Sequence, residues 1–213
     1  MSPSDPPQVE WLGRISFDDA LTRQESEHAA VRAGTSPGRI FLLEHEPVFT
    51  IGRTRDQSSL LDREHLSAPL REINRGGQAT WHGPGQLVGY LVLDLHKYGC
   101  DLHRYLRCLE EALIATLAHW EIPGDRRDAL TGVWVGNRKI ASIGVGVRHW
   151  ISMHGFALNV CGPLDGFESI IPCGIANVDM TSIERESGIS VTVEEAAKIA
   201  ARVLPDALLT LVP

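Results

Sequence analysis

The sequence predicts an α+β fold: one domain built on a mainly antiparallel or mixed sheet, with helices packed on it. Three observations lead there. Short runs rich in Val, Ile and aromatic residues outnumber the helical patterns. Those helical patterns fall early, in the middle and late instead of alternating with strands, which excludes a regular βαβ succession. A chain of 213 residues that is 43% hydrophobic and 22% charged is large enough for one substantial core.

The elements follow in order. Residues 1–8 are Pro- and Ser-rich and read as a loose tail, leaving 9–213 as the domain. Asp18 to Val31 begins acidic and lacks Pro and Gly, as a surface helix does. Arg39–Leu43 and Pro47–Ile51 are strand-like runs separated by the turn-prone Glu44-His45-Glu46. Asp101 is a good N-cap for a helix whose Leu102, Tyr105, Leu106, Leu109, Leu113, Leu117 and Trp120 recur every three or four residues. Pro123-Gly124 ends that pattern. Thr131–Val135, Lys139–Val147 and His154–Val160 are short strands broken by Gly, Asn and Arg turns. Two capping-box patterns follow, Thr181 to Glu184 and Thr192 to Glu195, the second opening an Ala-rich helix expected to stop at Pro205.

Charge and cysteine usage narrow the function. With 20 Lys+Arg against 27 Asp+Glu the net charge is −7, and no Lys/Arg block is present, which excludes non-specific nucleic-acid binding through a basic surface. No apolar run is long enough to span a membrane, and the N-terminus lacks a signal-peptide layout, so a cytoplasmic protein without membrane association is expected. Cys100, Cys108, Cys161 and Cys173 are then expected to stay reduced, and none forms a CxxC pair. No metal site is expected, since His149 and His154 stand five apart on a strand-like sequence. The Gly-x-Ser-x-Gly elbow and the Walker A lysine are also missing.

Three segments carry candidate chemistry. The densest is Arg75-Gly76-Gly77-Gln78-Ala79-Thr80-Trp81-His82-Gly83-Pro84-Gly85-Gln86. Its four glycines in residues 76–85 fit either a tight turn or a loop whose backbone approaches something closely. The interleaved donors and acceptors favour the second reading. In Gly132 to Gly144, Lys139 sits at a strand start, where a lysine is either a solvated edge residue or an amine used inside a cleft. In Ile170 to Ile175, Cys173 lies between Pro172 and Gly174, as either a small buried hydrophobe or a thiol presented at a set angle.

Together these segments resemble the octanoyl-[acyl-carrier-protein]:protein octanoyltransferases, the lipoate-protein ligase B family. The resemblance is carried by Arg75 to Tyr90, Arg138 to Gly144, His154 to Val160 and Pro172 to Ile175, in that order, with Glu44 to Arg53 upstream. Tyr90 is followed by Leu91 where many relatives have Pro, a departure that touches strand geometry and not chemistry. The resemblance implies the catalytic-domain fold of the biotin and lipoate protein ligases. It also implies transfer of an octanoyl group from acyl carrier protein to one lysine of a lipoyl domain, as found in 2-oxoacid dehydrogenase E2 subunits and the glycine cleavage H protein, with no cofactor.

Carried over residue by residue, Cys173 is the nucleophile that forms an acyl-enzyme thioester and Lys139 lowers its pKa. Arg75, Gly76, Gly77, Gln78, Ala79, Thr80, Trp81 and His82 line the acyl site with Ser142, Ile143, Gly144, Gly155, Phe156 and Ala157. The chemistry suits these residue types: thiolate attack on a thioester keeps the acyl group activated without ATP. About six buried methylenes at roughly 0.8 kcal/mol each would supply about 5 kcal/mol of binding, so chain-length choice is expected to lie in the depth of the slot. Two other readings are weighed against it: an ATP-dependent ligase of the same fold, which needs no cysteine nucleophile and is opposed by Pro172-Cys173-Gly174, and a non-catalytic acyl-binding protein, which is opposed by the presence of Cys173, Lys139 and His82 together. The stretch Arg126–Arg148 holds Arg126, Arg127, Arg138, Lys139 and Arg148 against Asp128 alone, which predicts a basic rim where an acidic carrier protein would dock.

Overall fold

A computed structural model of the chain describes residues 7–53, 58–61, 63–171 and 178–212. Among these residues a mixed sheet runs in the order β1(Gln8–Ile15), β2(Arg39–His45), β6(Gln86–Val92), β10(Ile151–Asn159), β9(Arg138–Arg148), β8(Leu130–Val135), β7(Asp125–Arg127). Neighbours are antiparallel except β1 on β2 and the two-residue β11(Asp179–Met180) on β9. A second small sheet has β3(Val48–Ile51) between β4(Leu70–Glu72) and β5(Thr80–His82). The α+β class with a mixed sheet is thus as expected.

Both faces of the large sheet are covered, which is why its central strands read as unbroken apolar runs. In β2, Ile40 and Leu42 join a core with α2(Leu102–Ala118) and α4(Val193–Leu209). The alternate residues Phe41 and Leu43 pack on the other face, with Ala20 and Val31 of α1(Phe17–Arg32). A third cluster, Phe49, Ile51, Trp81, Phe167 and Ile170 among its members, fills the space under the small sheet. None of the described helices is long and apolar enough to cross a membrane.

Local chemistry sets the element ends, and several differ from expectation. Gln8, assigned to the tail, opens β1. Glu44 and His45, taken as turn, belong to β2, because the His45 ring is fully buried and hydrogen-bonded at both nitrogens. Asp101 caps α2 by accepting from the Arg104 N–H, but the helix ends at Ala118, ahead of Pro123-Gly124. Ser182, not Thr181, caps α3(Ile183–Ser187), since Thr181 is engaged in the sheet through its N–H to Lys139 O. Thr192 and Glu195 form the reciprocal capping box foreseen for α4. That helix runs through Pro205 to Leu209: a mid-helix proline costs about 3 kcal/mol, and burial of Leu204, Leu208 and Leu211, at roughly 1.5–3 kcal/mol each, more than offsets it.

Candidate active site

The glycine-rich segment is a strap laid across β9, which decides between the two readings of its glycines. The Gly76 N–H donates to Val145 O (3.0 Å), while Arg75 O accepts from the Arg53 N–H (3.3 Å) on the other side. Gly77 holds a φ of +85°, open to glycine at little cost. The complementary space lies in the strand, where a Cβ on Gly146 would stand 2.4 Å from Asn74 O and one on Gly144 would stand 3.0 Å from Arg75 Cδ. The strap thus needs small residues on the surface it covers as much as in itself.

Between the strap, the small sheet and the β9–β10 hairpin lies a cleft enclosing about 410 Å³, its open mouth included. Of the residues expected to line the acyl site, Arg75, Thr80, His82, Ser142, Ile143, Gly144, Gly155, Phe156 and Ala157 converge on it. The others do not line it. Gly76 and Gly77 form the strap's back, Gln78 is half-buried beyond it, and Ala79 and Trp81 point into the small-sheet core, where Trp81 meets Phe167 edge-on with ring centroids 5.5 Å apart. In a strand of period two, Trp81 must face away from Thr80 and His82.

Three lining residues were not foreseen as such: Ile73, Tyr90 and His154. Tyr90 and His154 stood inside matched motifs, and burial at apolar strand positions was their only sequence signal. His154 is a non-glycine residue at φ +60° inside a strand, the strain that clusters at functional sites. Its N–H donates to Oε1 of the fully buried Gln24 on α1 (2.8 Å).

Three buried histidines are neutral, His82 and His154 in the cleft wall and His45 behind Tyr90. His82 is buried and its pKa falls to about 3, first through desolvation and then through His45 nearby. Burial likewise takes His45 and His154 down to about 4. The His82 Nδ1–H donates to Gln86 Oε1 (2.6 Å), an oxygen that only accepts, so Nε2 keeps a lone pair. His45 Nδ1–H donates to Ile15 O (3.1 Å), leaving Nε2 to accept the Tyr90 hydroxyl (2.8 Å). Arg75 is oriented by donation to Thr50 O (3.1 Å) and Oγ1 (2.9 Å).

Lys139 is fully buried, which removes its reading as a solvated edge residue. A bulge aims it. Ala141 pairs with Val133 but Lys139 with Trp134, so β9 carries one extra residue there. Val133 and Val135 face the α2–α4 core, and Trp134 faces away from it. The bulge turns Lys139 onto Trp134's face, with Nζ 5.4 Å from the Trp134 ring. Ser142 shares that side, being paired with Ala157 of the α1-side core. Without the bulge, Lys139, an odd number of residues from Ser142, would point into the helices. Its Nζ has no hydrogen-bond partner among the described residues.

Cys173 lies outside the described residues. On one side of it the Ile171 N–H donates to Ser59 O (2.8 Å), and on the other Asp179 and Met180 pair with Arg138 and Lys139. Of the other cysteines, burial lifts the Cys108 thiol to about 11 and raises Cys161, the opposite of an activated thiol. The expected basic rim is thinner than its charge count. Lys139 is interior, Arg138 is paired with Glu186 (2.7 Å), and Arg126 with Glu111 (2.5 Å) and Glu110 (3.3 Å).

The chain matches the family model of the lipoyl protein ligase A/B catalytic domain over residues 16–204. It is 50% identical to an octanoyltransferase of Geotalea uraniireducens over 90% of this chain and 88% of that one. It is 52% identical to one of Geobacter metallireducens, over 81% and 79%. In fold alone, it resembles a lipoate-protein ligase A bound with ATP at a TM-score of 0.74, 15% identity, covering 96% of this chain and 86% of that one. A biotin protein ligase from Aquifex aeolicus follows at 0.52, 14% identity, covering 97% and 70%.

Proposed function

The chain belongs to the lipoyl protein ligase A/B catalytic-domain family and, within it, to the octanoyltransferases, and we propose that it moves an octanoyl group from acyl carrier protein to a lysine ε-amine of a lipoyl domain through a thioester on Cys173. The acceptors in this reading are the lipoyl domains of 2-oxoacid dehydrogenase E2 subunits and the glycine cleavage H protein, in the cytoplasm.

The observation that supports it most is the convergence of the strap and the β9–β10 hairpin on one cleft, beside a buried lysine turned to the same face of the sheet. The Cys173 thiolate attacks the donor's thioester carbonyl, and the carrier protein's sulfur leaves as a thiol that carries off a proton from the Lys139 ammonium, so that Lys139 is neutral before the second half. A lysine ammonium nearby stabilises the attacking thiolate by charge. In the second half the acceptor amine attacks the acyl-cysteine, the Cys173 thiolate leaves, and Lys139 takes the amine's proton. The walls of Phe156, Ile143 and Ala157 hold the alkyl chain, neutral His82 orients its polar end, and Arg75 holds the strap over Gly144 at the other end of the cleft.

Incubation with octanoyl-carrier protein and no ATP is expected to add one octanoyl group to Cys173, seen by peptide mass spectrometry. Cys173→Ala is expected to abolish transfer with the circular dichroism unchanged, and Lys139→Ala to slow it by about two orders of magnitude or more. Product formed only with ATP, with no adduct on Cys173, would identify a ligase instead.

A further inference from the structure

The cleft has a second cavity behind its far end. That cavity encloses about 1050 Å³, open space included, and reaches α1 at Leu21, Glu25 and His28. Ile73 and His154 line both spaces. Along β9 the cleft is lined by Ser142, Ile143 and Gly144, and Lys139 stands three residues before Ser142 in the same strand, so Ile73 and His154, which pairs with Val145, lie at the end away from Lys139.

We propose that Ile73 and His154 are the end wall that sets acyl length, and that the cavity behind is the space a longer alkyl chain enters when the wall is removed; this rests on the octanoyl-transfer reading above. Ile73 is fixed in place by its N–H to Ile51 O (2.9 Å), and the strap that follows is clamped down where Asn74 O meets Gly146. The wall therefore does not yield by moving the backbone. It is also polar at its surface. Thr80 Oγ1 and His154 Nδ1 are buried without hydrogen-bond partners among the described residues, and alkyl carbon pressed against them would keep them from water. Size and polarity together disfavour a chain that extends past the wall.

The test compares octanoyl- and dodecanoyl-carrier protein as donors with a lipoyl-domain acceptor. Each extra methylene that gains burial is worth about fourfold in binding. Ile73→Ala is therefore expected to raise the dodecanoyl-to-octanoyl ratio of kcat/KM by about tenfold or more, and Ile73→Val, the milder change, to raise it less. Adding Leu21→Trp to Ile73→Ala fills the cavity from the far side and is expected to return the ratio toward the starting value. A ratio unchanged by Ile73→Ala and Ile73→Val in proteins that still transfer octanoyl overturns the proposal. If no protein in the set, the starting protein included, accepts octanoyl from the carrier, the transfer reading has failed. The wall is then judged by calorimetric titration of the same proteins with octanoate and dodecanoate: a shift in preference on Ile73→Ala supports it, and an equal preference overturns it.

Discussion

At the scale of single residues, Gln86 shows how one side chain joins two parts of the site. It accepts from His82 Nδ1–H and donates from Nε2 to Asn159 Oδ1 (2.9 Å). Asn159 in turn donates to Thr181 O (2.9 Å), and the Thr181 N–H to Lys139 O (2.9 Å). A buried series of hydrogen bonds thus fixes the His82 tautomer at one end and the strand carrying Lys139 at the other. Gln86→Leu leaves His82 and Asn159 each short of a partner, at about 1–3 kcal/mol for each stranded group. The expected outcome is a lower urea midpoint with an unchanged m-value, together with slower transfer. A midpoint equal to the parent protein's would show that Gln86 is only filler. The sequence placed Gln86 among the donors and acceptors interleaved with the glycines, yet nothing local could point to Asn159, a partner 73 positions away. The same holds for Ile73 and His154, whose place in the cleft depends on where the strap crosses β9.

At the scale of elements, propensity and periodicity located the strands and helices, because the relevant forces act within a few residues. The Thr192–Glu195 capping box and the Asp101 cap are local hydrogen bonds and were legible. The β8–β9 bulge was not, since it is a property of pairing between strands, and with it went the direction of Lys139. Passage of α4 through Pro205 was equally hidden, because leucines buried beyond the proline outweigh its local cost. The strap offers a direct test of element-level packing. Gly146→Ala places a methyl 2.4 Å from Asn74 O, a backbone atom that can give way only by lifting the strap from β9. Overpacking of this kind costs about 1–3 kcal/mol. The strap carries Arg75, so a raised KM for the acyl donor is expected in protein that remains folded. The matched change Gly188→Ala, at a position with φ +71° and no atom within 4 Å of the new methyl, strains only its own backbone and should leave that KM alone.

For the whole molecule, a sheet covered on both faces buries groups that a one-sided sheet would leave wet, His45, His82 and His154 among them. Their pKa values of about 4, 3 and 4 in the folded protein lie below the ordinary 6.5 because burial disfavours the charged ring. The unfolded chain therefore takes up protons near pH 6.5 that the folded chain refuses, and stability falls as pH drops. The contribution is fully present above about 6.5 and is lost progressively toward the folded values, at up to about 1.4 kcal/mol per pH unit for each histidine. Between pH 6.5 and 5 this comes to roughly 2 kcal/mol per histidine at most. Carboxylates held low by arginines, such as Glu186 beside Arg138 and Asp18 beside Arg71, act in the same direction. Their unfolded values of 4.5 and 3.8 put that loss at lower pH. The onset thus separates the two groups: thermal melts are expected to be level from pH 8 to 7 and to fall steadily from about 6.5 downward. A melting temperature that held constant to pH 5 would mean that the three rings admit protons in the folded state. The cleft would then be wetter than its walls of Phe156, Tyr90 and Ile143 imply.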